Sequence, residues 1–177
     1  AASALLLAAE SDAGAAAIYD KLIAANLPPV MRQAAFKGKI EAAGGGGKEI
    51  VLKTLAGKDA VLYAPAIAMV PANFRAAEIG QAADFLSRLP EDARIQLAAV
   101  LGGYPADAVG PYLLAAAENP SLDVRLAALR AIGKAGGAKA VAFLATKAAR
   151  TSGAEQDAAR ESLALLRGSD VDPAILA

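Results

Sequence analysis

The chain of 177 residues contains no cysteine and no histidine. Those two absences exclude thiolate nucleophiles, disulfides, cysteine or histidine metal sites and imidazole acid–base chemistry within it. Tryptophan is absent too, and the aromatics amount to four tyrosines and four phenylalanines. Eighteen basic residues balance 18 acidic ones, so the broad positive field of a nucleic-acid binder is missing. The longest apolar run, AVLYAPAIAMVPA at 60–72, falls short of the ~20 residues that cross a bilayer, and no membrane span is expected. ASALLLAAE near the start lacks a basic flank and reads as a helix fragment rather than an export signal. Cysteine-free chains occur on either side of a membrane, so the compartment stays open.

What the chain has in abundance is alanine, the best helix former and small enough for helices to approach closely. No segment alternates with period two for long enough to form a strand, so an all-α fold is expected. The alanine-rich background carries a repeat. VMRQAAFKGKI holds Arg32, DARIQLAAVLG holds Arg94, DVRLAALRAIG holds Arg125 and AARESLALLRG holds Arg160, at steps of 62, 31 and 35 residues. AVLYAPAIAMV fills the long first step, with Tyr63 at the arginine position. One residue earlier stand Met31, Leu62, Ala93, Val124 and Ala159, and three later Ala35, Ala66, Leu97, Ala128 and Leu163, which together make one apolar helix face. Gly102, Gly133 and Gly168 stand eight residues after the arginine, where a helix C-terminus favours glycine.

A second helix follows each of these. AVGPYLL (108–114) matches DVDPAIL (170–176), and AVAFLAT (140–146) falls between them. Pro111 and Pro173 are expected within first helical turns, where a missing N–H is little loss. The expected helices are 13–25, 29–43, 48–56, 59–70, 75–88, 91–102, 106–118, 121–134, 138–150 and 153–167, with another beginning near 171. GGGG (44–47), NP (119–120), GG (136–137) and RTSG (150–153) read as linkers between them. Pro65 should kink its helix, and Ser152 with Glu155 has capping-box spacing.

Two-helix units of ~30 residues cannot bury their apolar faces alone and must stack. The pattern resembles the short bacterial form of HEAT repeats, the type first associated with phycobilisome lyases. The resemblance rests on DVRLAALRAIG, its relatives at 92–102 and 157–168, and the proline-bearing second helices. It implies an all-α solenoid, a superhelix of about five HEAT-like repeats at 28–58, 59–89, 90–119, 120–152 and 153–177. Residues 1–27 would end a preceding repeat, within a single domain over 1–177. The unit around Tyr63 departs from the pattern. A start without methionine and the lack of a polar capping unit lead us to expect a piece of a longer chain.

No catalytic, cofactor-binding or metal-binding residue is expected, and no cofactor. The four arginines read as structural repeat positions that pair with neighbouring units. GGGGKE (44–49) lacks the first glycine and the hydroxyl residue of a phosphate loop, since Ala42 and Glu49 stand there. Glu91 with Asp92, and Glu155 with Asp157, read as solvated charge at helix starts. Tyr63, Tyr104, Tyr112, Phe74, Phe85 and Phe143 read chiefly as core.

The expected function is therefore a non-catalytic protein–protein interaction or scaffolding module, monomeric, as an independent protein or an accessory domain of a larger bacterial enzyme. A protein partner is expected on the concave face lined by second helices, meeting Lys53, Gln81, Glu118 and Lys147. No nucleic-acid partner is expected. Two alternatives stand beside this reading. A bilin-lyase-like helper in chromophore attachment requires a polar pocket. A HEAT-like DNA glycosylase requires a basic groove and a catalytic carboxylate.

Overall fold

The computed structural model describes residues 12–166, and among them every regular element is helical. Five helices start at a constant 31-residue step, at Pro29, Ala60, Glu91, Leu122 and Gly153. The local chemistry of each start differs. Pro28 and Pro90 hold extended backbone ahead of their helices, a conformation proline favours. Asp59 and Ser121 instead cap theirs, accepting from the amides of Val61 and Val124. The chain divides between Phe74 and Arg75 into two compact units.

The first unit contains α1 (Asp12–Ala24), α2 (Pro29–Ala42), a 3-10 turn (Gly44–Gly46), α3 (Gly47–Ala56), α4 (Ala60–Ala68) and the single turn α5 (Val70–Asn73). Helix α2 lies against α1 and α4, and α3 against α4. Phe36, Ile40, Val51, Leu55, Leu62 and Ile67 form its core. The expected glycine linker is a 3-10 turn running straight into α3. A Cβ on Gly47 would sit 2.1 Å from the Asn73 Oδ1, so any side chain there would have to displace Asn73. Pro65 lies inside α4 and deprives the Val61 carbonyl of its amide partner. The Gln33 Nε2 donates to that carbonyl instead, at 3.1 Å.

The second unit contains α6 (Gly80–Ala83), a 3-10 turn (Asp84–Ser87), α7 (Glu91–Leu101), α8 (Ala106–Ala116), α9 (Leu122–Ala135), α10 (Lys139–Arg150) and α11 (Gly153–Leu165). Helices α7, α9 and α11 pack side by side in that order, while α8 lies chiefly on α9 and α10 chiefly on α11. Leu97, Leu101, Leu113, Leu129 and Leu144 are fully buried between them. Each such side chain contributes about 1.5–3 kcal/mol on leaving water. Gly136 and Gly137 both have positive φ, 80° and 89°, as the tight link from α9 to α10 requires.

Four expectations need correction here. The helix expected over 75–88 is irregular up to residue 79, one turn of α-helix over Gly80–Ala83 and then 3-10, and the Tyr112 hydroxyl lies close to Gly80. Pro111 is the sixth residue of α8 rather than part of its first turn, so the Asp107 carbonyl loses its amide donor. Gly133 does not end its helix, which runs on to Ala135. Its role is close approach: a Cβ there would lie 2.8 Å from the Ser162 Cα, as one on Gly102 would lie 2.9 Å from the Ala131 Cα. Ser152 makes no side-chain cap. Gly168, Pro173 and the helix expected near 171 lie outside the described residues.

Candidate functional site

The arginine ladder is a ladder of donors to the carbonyls that end the preceding helix or its linker. The Arg32 Nε donates to the Ile23 carbonyl at 2.7 Å, the Arg94 Nε to Leu89 at 2.6 Å, and the Arg125 Nη1 to Asn119 and Pro120 at 2.9 and 3.0 Å. Tyr63 fills the same role without charge, its hydroxyl donating to the Gly57 carbonyl at 2.7 Å. The fifth rung is Gln156, whose Nε2 donates to the Ala148 carbonyl at 2.8 Å. Residues 32, 63, 94, 125 and 156 keep the 31-residue step. Arg160 is therefore not a rung. It is exposed and makes no hydrogen bond to a described residue.

Two rungs also reach forward to the acid at the start of the next first helix. Arg32 pairs with Asp59, and the Arg125 Nε with the Glu155 Oε2 at 3.0 Å. Glu155 is thus no solvated capping charge. Its side chain is only 12% exposed, and its other oxygen lies 3.4 Å from the Lys147 ammonium. Lys147 in turn holds Glu118 at 2.9 Å and sits over the Phe143 ring. Lys147 and Glu118, expected on a free polar stripe, are instead committed to one network that joins α9, α10, α11 and the turn after α8. Glu91, Asp92 and Asp157 are exposed, as are Lys53 and Gln81.

Two clefts flank α8. A cleft of about 380 Å³ separates α8 from the start of α10, walled by Gly110, Leu114, Ile132 and Ala138, with Asp107 and Lys139 at its rim. On the other side of α8, a cleft of about 350 Å³ faces the Asp84–Ser87 turn and presents Asp84, Ser87, Arg88, Tyr112 and Asn119. Pro111 borders both. Both volumes fall in the range of ligand-binding pockets. Tyr112 donates to the Asp84 carboxylate, and burial, then the Asp84 charge and that bond, push its phenol above 10.0. Burial likewise raises Tyr104. Among the described residues no three His, Cys, Asp or Glu side chains gather as a metal site, and no helix is long and apolar enough to cross a membrane.

Residues 82–164 match the model of a protein family described as HEAT repeats. The match takes in both clefts, α7, α8, α9 and α10 whole, the end of α6 and most of α11. No curated protein matches the chain.

Sequence reasoning missed both clefts. Of the six aromatics read chiefly as core, only Tyr112 lines either of them. Phe74 is buried, and Phe85 and Phe143 lie under Arg88 and Lys147. The one signal available was Pro111, a helix-interior proline set beside Gly110.

Proposed function

We propose that the chain is a run of five two-helix units of the short HEAT-like type, serving as a non-enzymatic module that binds a partner protein on its second-helix side. The observation that carries this reading is the pair of clefts flanking α8. They are concave, partly apolar and open between successive second helices, whereas α7, α9 and α11 bury their small residues against one another. The strongest charged groups support a structural rather than a reactive role, because Arg125, Glu155 and Lys147 spend their bonds on one another.

A photo-crosslinking amino acid at exposed Asp107, on the rim of the apolar cleft, tests this against the same probe at exposed Arg130 on α9. A specific partner adduct is expected from position 107 and not from 130. Adducts formed only from position 130 would place binding on the first helices and end this reading.

A further inference from the structure

The two clefts beside α8 differ in chemistry, and that difference specifies a ligand. In the apolar cleft, a Cβ added to Gly110 would meet nothing within 4 Å. The space beside it is walled by Leu114 and Ile132 and is open to an incoming aliphatic side chain. Its rim charges, Asp107 and Lys139, are of opposite sign and cancel. Pro111 also deprives the carbonyl of Asp107, which lines this cleft, of its helical donor.

The polar cleft is rich in donors. Arg88 has no ion-pair partner among the described residues, and its guanidinium is braced over the Phe85 ring at 5.7 Å. Asn119 uses its Oδ1 to accept from the Ser121 amide at 3.0 Å, which leaves its Nδ2 as a donor. The acid of this cleft, Asp84, already accepts from Tyr112. A planar guanidinium with an amide beside it fits a carboxylate better than a cation or an aliphatic group.

We propose that the two clefts together bind an extended peptide segment of a partner protein, with an aliphatic side chain lodged beside Gly110 and a carboxylate on Arg88 and Asn119. The shared border at Pro111 lets one extended strand cross α8 and occupy both. This inference rests on the protein-binding reading above and adds the chemistry of the partner.

The test is a titration of the isotope-labelled chain with synthetic peptides carrying leucine and glutamate, their spacing varied one residue at a time. Matched peptides replace the glutamate with glutamine or lysine. The glutamate peptide of best spacing should shift the amide signals of Gly110 and Gly137 together with the Arg88 side chain. The glutamine peptide should bind about tenfold more weakly, as for loss of one charge-assisted bond. Arg88→Gln should abolish that preference while leaving affinity for the glutamine peptide unchanged. Gly110→Leu should fill the apolar cleft and weaken both peptides, and leucine, a better helix former than glycine, keeps α8 intact. Equal affinity for the glutamate and lysine peptides, with shifts in the clefts, overturns this inference and leaves the protein-binding reading standing. Shifts confined to α9 and α11 overturn both. An absence of shifts with every peptide, or binding of free 4-methylpentanoate as tight as that of the peptide, also overturns the proposal.

Discussion

Replacing glycine by alanine inside a helix stabilises it by about 0.5–1 kcal/mol when space permits. The second unit offers two helical glycines where that condition differs. At Gly110 a Cβ meets nothing within 4 Å, so Gly110→Ala should gain the full propensity term. At Gly133 the new Cβ would lie 2.8 Å from both Cα and Cβ of Ser162 and 2.9 Å from its carbonyl oxygen. Two of those atoms are backbone and cannot rotate away, so α11 must move off α9. Overpacking costs about 1–3 kcal/mol, and contact with backbone places this case at the upper end. Less the propensity gain, Gly133→Ala should lose about 1–2 kcal/mol. The two variants then differ in sign and by about 2–3 kcal/mol. At about 2–4 °C per kcal/mol for a chain of this size, their melting temperatures should separate by about 4–12 °C. Thermal unfolding followed by circular dichroism, with urea midpoints beside it, measures the gap. A Gly133→Ala protein that melts as high as Gly110→Ala would refute the close-approach role of Gly133.

Arg125→Ala leaves the Asn119 and Pro120 carbonyls and one oxygen of Glu155 without their donor; urea unfolding should show a loss of about 1–3 kcal/mol. Lys147→Glu places a carboxylate against Glu118 and Glu155 and should cost about 2–4 kcal/mol. Lys147→Met should cost less, because Arg125 still neutralises Glu155; equal losses from both would deny the network. Folding raises the Tyr112 phenol above 10.0, chiefly through burial and then through Asp84, so the folded state holds that proton more tightly than the unfolded one. The stability this contributes is whole below about pH 10 and fades as pH climbs through the higher folded value. Tyr112→Phe should flatten that alkaline loss, and an unchanged slope would remove the linkage.

Much of the architecture was legible because its determinants are local. Apolar periodicity and the short glycine- or proline-bearing linkers between helices are read from a few adjacent residues. They placed most helices of 12–166 within a residue or two of their ends. The segment 75–88 was not legible, since its buried face at Ile79, Ala82, Ala83 and Leu86 keeps helical spacing although the winding does not. A tyrosine over 30 residues away, Tyr112, places its hydroxyl close to Gly80 in this segment, a contact that no local pattern shows. The clefts were hidden for the same reason. They are gaps between segments distant in sequence, α8 against the start of α10 on one side and against the Asp84–Ser87 turn on the other. Lys147 shows the limit on the charged side. It falls on a polar stripe by periodicity, yet acids from two other elements bury it.

The register of the last unit joins these two levels. Aligning on arginine picks Arg160, at a 35-residue step from Arg125, which is one helical turn beyond 31. A slip of one turn is nearly free in apolar pattern, because positions four apart share a helix face, and Ala159 and Leu163 keep the columns apolar. The backbone is less tolerant. Helix starts at 91, 122 and 153 hold the step at 31. The approach of Gly133 to Ser162 also repeats, at the same separation in sequence, that of Gly102 to Ala131. On that register Gln156 occupies the rung, and its amide supplies the hydrogen bond that arginine supplies elsewhere. Gln156→Ala should therefore cost about 1 kcal/mol, while Arg160→Ala, at an exposed position without a bond to a described residue, should stay within ~0.5 kcal/mol. Parallel urea titrations of the two variants decide between the registers. A larger loss at Arg160 than at Gln156 would restore the 35-residue step and undo the 31-residue ladder.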